Sequence, residues 1–408
     1  MNDEQRQVLN TASITPLPGK RYTRRQTVAM LGGLGIVAAV HPPMAGIAVA
    51  QEVPPASPMA TPVLGPRDDG TNLWKVQVGG MDMENGIDLH AFFPEEITIN
   101  AGDAVHFAFA PMGVPGFHTV TFLSGEELPP LLTPNVVDGT PVASPEGPPQ
   151  LILNPLVAWS DGRTDYDGTG YANSGLDVFR LEDGPYILTF TTPGTFEYEC
   201  AVHGIVMKGT VVVQEAGTTL PNDLAAYDAM SAEQIAAIIE EGRAAVAELE
   251  AENATPASGG TTTWAVSAGA GGESQARVMR FLPAELTIKV GDTVRWSSGS
   301  VGEPHTVTFL GGEEQPEDAL VEPQASGPPK FIQNMQTFLP AGGSDFDGAG
   351  YHSSGFMGFP PEVADLFGLS DSYELTFTAP GEYPYYCILH SGGPEAEDGM
   401  NGTIIVEA

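Results

Sequence analysis

The sequence predicts a mainly β protein: two β-sandwiches joined by a linker that contains one α-helix. Three observations carry that expectation. Glycine (49) and proline (36) together make up a large share of the 408 residues, as turn-rich β-structure requires. Short runs of alternating apolar and polar residues are separated by Gly-Asp and Pro-Gly turn signals. Most of the chain also occurs twice. Residues 92–107 match 281–296, residues 188–200 match 375–387, and each copy closes on a β-branched run, Gly209–Val213 and Gly402–Val406.

The elements follow in order. Residues 1–50 read as a Tat-type export signal. Thr23-Arg24-Arg25-Gln26 precedes an apolar run from Val28 to Val40, and Ala48-Val49-Ala50 offers a small-residue cleavage site. The run is short for a membrane span and ends at Pro42-Pro43. No later segment is apolar enough to span. The mature chain is therefore expected to begin near Gln51 and to work outside the cytoplasm, in a periplasm or beyond the cell. Residues 51–71 read as a flexible tether. The first repeat occupies 72–215 and the second 262–408. Between them, in 216–261, Ser231-Ala-Glu-Gln234 resembles a capping box. It should open a helix with Ile235, Ile238, Ile239, Val246 and Leu249 on one stripe and Gly242 within it. That stripe is expected to pack on one or both sandwiches.

Each repeat carries a long insertion containing Asp-x-Asp-Gly-x-Gly-Tyr, at Asp165 to Tyr171 and Asp345 to Tyr351. Asp165/Asp167 and Asp345/Asp347 can begin a calcium loop, but no bidentate Glu follows at the required position. A structural turn is the expectation.

The chain has two cysteines, each in the same frame. Cys200 is followed by His203 and Met207; Cys387 is followed by His390 and, after a longer loop, Met400. Upstream at the same interval lie His118 and His305, each opening His-Thr-Val-Thr-Phe-Leu. Two imidazoles, a thiolate and a weak thioether are the donor set of a blue-copper electron-transfer centre. A disulfide would have to join equivalent buried positions of two repeats, which the neighbouring His and Met argue against. The expected ligands are His118, Cys200, His203 and Met207 for one copper ion, and His305, Cys387, His390 and Met400 for a second. Met400 lies farther from its His than Met207 does. The shared x-Gly-Thr that follows both methionines favours the same axial role.

These residues resemble the plastocyanin-like blue-copper proteins, the cupredoxin family. The carriers are Val290 to Trp296, Pro304-His305 and Tyr383 to His390, with Ala101 to Phe107, His118 and Phe196 to Met207 in the first repeat. The resemblance covers most of both repeats but neither the insertions nor the linker helix. It implies Greek-key sandwiches, type 1 copper and one-electron transport, with the second His of each set (His203, His390) near the surface as an electron exit. Thr119 and Thr306, beside the first His, are candidates for bracing the ligand loops.

Two other functions compete with the carrier. A nitrite-reductase-like or oxidase enzyme needs further copper ligands. No His-x-His pair is present, Glu199 and Tyr386 precede the cysteines, and the spare histidines His90, His106 and His352 are unpaired in sequence. A copper storage or delivery protein should carry exposed Met/His tracts, and only Met81-Asp82-Met83 comes near. With Asp+Glu 52 against Lys+Arg 16, the surface repels nucleic acid and anionic membranes and favours basic partners such as a c-type cytochrome. Ile205, Val206, Met112, Val114 and Pro115 suggest an apolar rim at His203. Glu303, Glu395, Glu397 and Asp398 suggest an acidic one at His390.

Overall fold

The computed structural model describes residues 62–408 apart from 110–116, 146–147, 181–183, 205, 254–261, 301, 360, 395 and 397–398. The export signal, most of the tether and the end of the linker lie outside these residues. Among the described residues no helix is long and apolar enough to cross a membrane.

The chain is mainly β, and each repeat folds into two facing sheets. In the first half one sheet runs Gly65–Pro66, Asn72–Val78, Ala104–Phe109, Tyr186–Phe190, Asp165–Tyr166. The other runs Ala172–Asn173, Thr121–Phe122, Gly194–Glu199, Lys208–Gln214, Glu96–Asn100. Gly65–Pro66, read from sequence as tether, thus pair with Leu73 and Asn72. The alternation seen in the sequence is the burial pattern. Tyr186, Leu188 and Phe190 face the core with Ile97, Ile99, Val211 and Val213, while their neighbours face outward. The second half repeats this around Trp296, Phe309 and Tyr385.

The Gly-Asp turns have a shared construction. Gly102 and Gly291 adopt φ of 94° and 93°, which glycine enters without a Cβ penalty. The following carboxylate then accepts from an indole on the adjoining strand: Trp74 Nε1 to Asp103 and Trp264 Nε1 to Asp292, both at 3.0 Å.

The two halves are not separate sandwiches on a string. Ile87–Leu89 from the first half pairs antiparallel with Ala276–Leu282 and so extends the second half's sheet. The insertions meet as well. Leu151–Leu153 pairs with Lys330–Gln333, Ile152 opposite Ile332, in a four-stranded sheet built from both repeats. Phe331 stacks on Phe179 beside Trp159.

The linker helix runs Leu224–Asn253, so it begins a turn or more before the expected Ser231. Asp223 Oδ1 accepts from Ala226 N and caps the first turn. Ser231 lies inside, its hydroxyl donating to the Tyr227 carbonyl. The Tyr227 hydroxyl accepts from Thr98 N and ties this early turn to the first sandwich. Further along, Ile238 packs on Ile87, Leu89 and Phe93, and Val246 packs on Ala270, Val278 and Leu282. Gly242 lies over Ile87, whose Cγ2 would be 2.7 Å from any added Cβ, so the stripe needs glycine there.

The aspartate motifs form turns. Asp167 Oδ1 accepts from Thr169 N and Oγ1, and Asp347 Oδ1 accepts from Ala349 N, each closing on its own backbone. Asp165 and Asp345 are exposed at strand starts.

Candidate metal centres

In each half the two histidines and the cysteine of the expected donor set come together. In the first half the loop before Thr121–Phe122 supplies His118, the end of Gly194–Glu199 supplies Cys200, and the turn after it supplies His203. The two imidazoles face each other through Nδ1 at 3.2 Å, and Cys200 Sγ lies 3.6 Å from His203 Nδ1. In the second half the Nδ1 atoms of His305 and His390 are again 3.2 Å apart, with Cys387 Sγ 3.3 Å from His390 Nδ1. All six side chains are buried, and both cysteines are free thiols, not a disulfide. Met207 and Met400 are fully buried in the same clusters as Cys200 and Cys387.

The threonines brace the thiolate as the sequence suggested. Thr119 N donates to Cys200 Sγ at 3.4 Å while Thr119 Oγ1 accepts from Ala201 N. Thr306 does the same for Cys387 and Ile388. Each first His is held against a glycine of positive φ, Gly79 under His118 and Gly269 under His305. A Cβ at either position would enter the ring.

The electrostatics suit a thiolate-binding cation. Burial pushes the thiols of Cys200 and Cys387 up. The charge of the neighbouring second His and hydrogen bonds from both histidines outweigh it and hold them well below the ordinary thiol range. Burial alone would lower His203 and His390, but the thiolates and Glu303 raise both. A soft thiolate with two imidazole nitrogens aimed at one point in a dry pocket fits copper.

One group joins the two centres. His203 Nε2 lies 3.2 Å from Glu303 Oε2, and His390 Nε2 lies 2.9 Å from Glu303 Oε1. The sequence reading placed Glu303 among exposed acids and the outer edges of His203 and His390 at the surface. Instead the three are 6, 7 and 8 % exposed and face one another where the halves meet. The carboxylate stays ionised there. Burial pushes it up, yet hydrogen bonds from His203 and His390 and their charge hold it well below the usual carboxylate range.

His90 also enters this cluster. Its ring stacks on His203, and its Nε2 lies 3.2 Å from Asp88 and 3.6 Å from Glu303. Burial and the charge of His203 lower it to about 4, so it is neutral. Arg277 stands opposite Asp88 in the strand pair, buried, and its charge acts on both Glu303 and Asp88. From sequence His90 is only a spare histidine and Glu303 only a rim acid, while Asp88 and Arg277 carry no signal. A further local signal is that Glu303 stands where the first repeat has Gly116. His106 and His352 stay apart, the first half-buried beside Lys75 and the second packed on Phe346. Of the rim residues, Met112, Val114, Pro115, Ile205, Glu395, Glu397 and Asp398 lie outside the described residues. The Val206 carbonyl accepts from Gln275 of the other half.

Residues 267–407 match the family of copper binding proteins described as plastocyanin/azurin. That span contains His305, Cys387, His390 and Met400, the donor set expected for the second copper ion. Similar solved structures include amicyanin from Paracoccus versutus. It is 23 % identical over 38 % of this chain and 92 % of its own, with a TM-score of 0.18. The oxidised state of an amicyanin mutant is 21 % identical over 35 % and 80 %, with a TM-score of 0.19.

Proposed function

We propose that the chain is an exported one-electron carrier with a type 1 copper site in each half. The observation that carries this reading is the duplicate donor set. His118, Cys200 and His203 adopt the same mutual arrangement as His305, Cys387 and His390, which lie in the family-matched span. When bound, copper supplies one-electron redox chemistry. The chain fixes two imidazoles and a thiolate in a rigid pocket, excludes water and keeps the thiol ionised. The twin-arginine segment supports export, and the acidic composition supports a basic redox partner such as a c-type cytochrome.

Copper counting with absorption and EPR spectroscopy tests the reading. Two blue centres per chain are expected, with Cys200→Ser removing one and Cys387→Ser the other. A folded chain that loses both on one substitution overturns the two-site model.

A second reading has one specific observation in its favour: His90, His203 and Glu303 place ligand atoms within 4.8 Å of one another. A third, non-blue ion there would make the protein an enzyme. The buried Arg277 beside Glu303 and Asp88 opposes a further cation, and so does the Nε2–H that His203 directs to Glu303. A count of three ions with a non-blue EPR signal would reverse the preference.

A further inference from the structure

We propose that Glu303 joins the two centres into one electron-exchange unit, so that an electron received at either is shared with the other inside the chain. This rests on the two-copper reading above and adds to it a route and a residue. The route is His203, the Glu303 carboxylate and His390. Each histidine turns Nδ1 toward its own cysteine and Nε2 toward a different oxygen of the same carboxylate, at 3.2 and 2.9 Å.

Three features argue that this contact is built for coupling. First, it is dry: all three groups are under a tenth exposed, so no bulk water screens one centre from the other. Second, it turns the Nε2 edge of both imidazoles to one carboxylate, at ion-pair distance. An Nε2–H bonded to a carboxylate leaves Nδ1 as the lone-pair nitrogen, the arrangement by which an outer carboxylate orients a ligating imidazole and raises its basicity. In most sites such a carboxylate serves one metal. Here a single one serves both, so a change of charge at one centre is felt directly by the ligand of the other. Third, the surroundings hold Glu303 in place. His90 and Arg277 stand on its flank, the Gly302 N donates to the Gly358 carbonyl, and the His305 N donates to the Met357 carbonyl. The first repeat has no equivalent acid, since Gly116 stands at that position.

The same arrangement closes the outer edge of both histidines to a partner. Exchange between the halves replaces exit at that edge. The step balances without a co-reactant. One centre is oxidised by one electron and the other reduced by one. Glu303 stays a carboxylate throughout, and the Nε2 protons stay on His203 and His390.

The test begins with the copper-loaded full chain, its metal counted and both blue centres verified. Cys200→Ser and Cys387→Ser give the reference spectrum of each centre alone. Less than one electron per chain is then delivered by pulse radiolysis. The expected result is a first-order equilibration between the two spectra, at a rate independent of protein concentration. Glu303→Leu should slow it about tenfold or more. Should that variant fail to load, Glu303→Gln carries the comparison, since its single oxygen cannot accept from both histidines in the carboxylate's geometry. In addition, redox titration of the native chain should show the potential of one centre shifting when the other changes state, and the Glu303 variants should reduce that shift. Two blue centres with no first-order phase overturn the exchange alone. So does a phase whose rate is unchanged in both Glu303 variants. Fewer than two blue centres overturn the copper reading beneath it, which the metal count reports by itself.

Discussion

The ring of His90 lies on the ring of His203, centroids 3.8 Å apart and planes 24° from parallel. The stack puts a neutral imidazole against a candidate ligand while its Nε2 bonds the buried Asp88 carboxylate. His90→Phe keeps the apolar face and removes the hydrogen-bond partner of Asp88 Oδ2. Stability should fall by about 1–3 kcal/mol, the usual penalty for an unsatisfied buried polar group. Both blue centres should survive and the copper count should stay at two. Loss of one bound ion from the His90→Phe chain would instead favour the third-ion reading.

Gly79 and Gly269 give a site-selective prediction. Both have positive φ and both lie directly against the first His of their half. Gly79→Ala adds backbone strain of about 1 kcal/mol or more and drives the new methyl into His118. It should weaken copper binding in the first half and leave the second half's spectrum unchanged. Gly269→Ala should do the reverse. Copper titration followed by absorption separates the two. Equal effects on both centres from either variant would show that the glycines are not local supports.

Much of this arrangement was legible in the sequence because it is local or repeated. Alternating strands, Gly-Asp turns and the Cys-x-x-His frame are short-range patterns, and their recurrence made each copy a check on the other. What escaped belongs to the contact between the copies. Ile87–Leu89 reads as an ordinary first-half strand, yet it finishes the second half's sheet. Glu303 reads as an exposed acid on the rim at His390. Only the tertiary fold brings it to His203 and His90, which lie far from it in sequence. The helix starts before Ser231 for a related reason. The box at Ser231 is a sound local signal, but Asp223 offers a cap earlier and Tyr227 finds its anchor on Thr98, a long-range bond that no local pattern reports.

The linker helix should be a structural clamp. Ile238 is 7 % exposed and packs on Ile87, the strand that both halves share. Ile238→Asp should cost about 2–4 kcal/mol, from the lost apolar contact and from burying a carboxylate. It should lower the melting temperature with little effect on the blue absorption. An unchanged melting temperature would show that the stripe contributes nothing to holding the halves together.

The insertion of the second half should make stability depend on pH through Asp318. Its carbonyl accepts from Asn334 N, and its Oδ1 lies 3.3 Å from Thr337 Oγ1 and 3.4 Å from Gln333 Nε2. Burial pushes the carboxyl from 3.8 to about 6, despite those two donors, so folding favours the protonated form. Its contribution to stability is therefore full below about pH 4 and is lost as pH rises through about 6. Asp318→Asn does not titrate and keeps its contribution at every pH. Relative to the native chain, the variant should gain on the order of 2–3 kcal/mol between about pH 4 and about pH 7.5. Denaturant unfolding of both proteins at the two pH values measures the difference, in which the other titrating groups cancel. A difference that does not change with pH would place the Asp318 carboxylate in a setting that solvates its charge as well as water does.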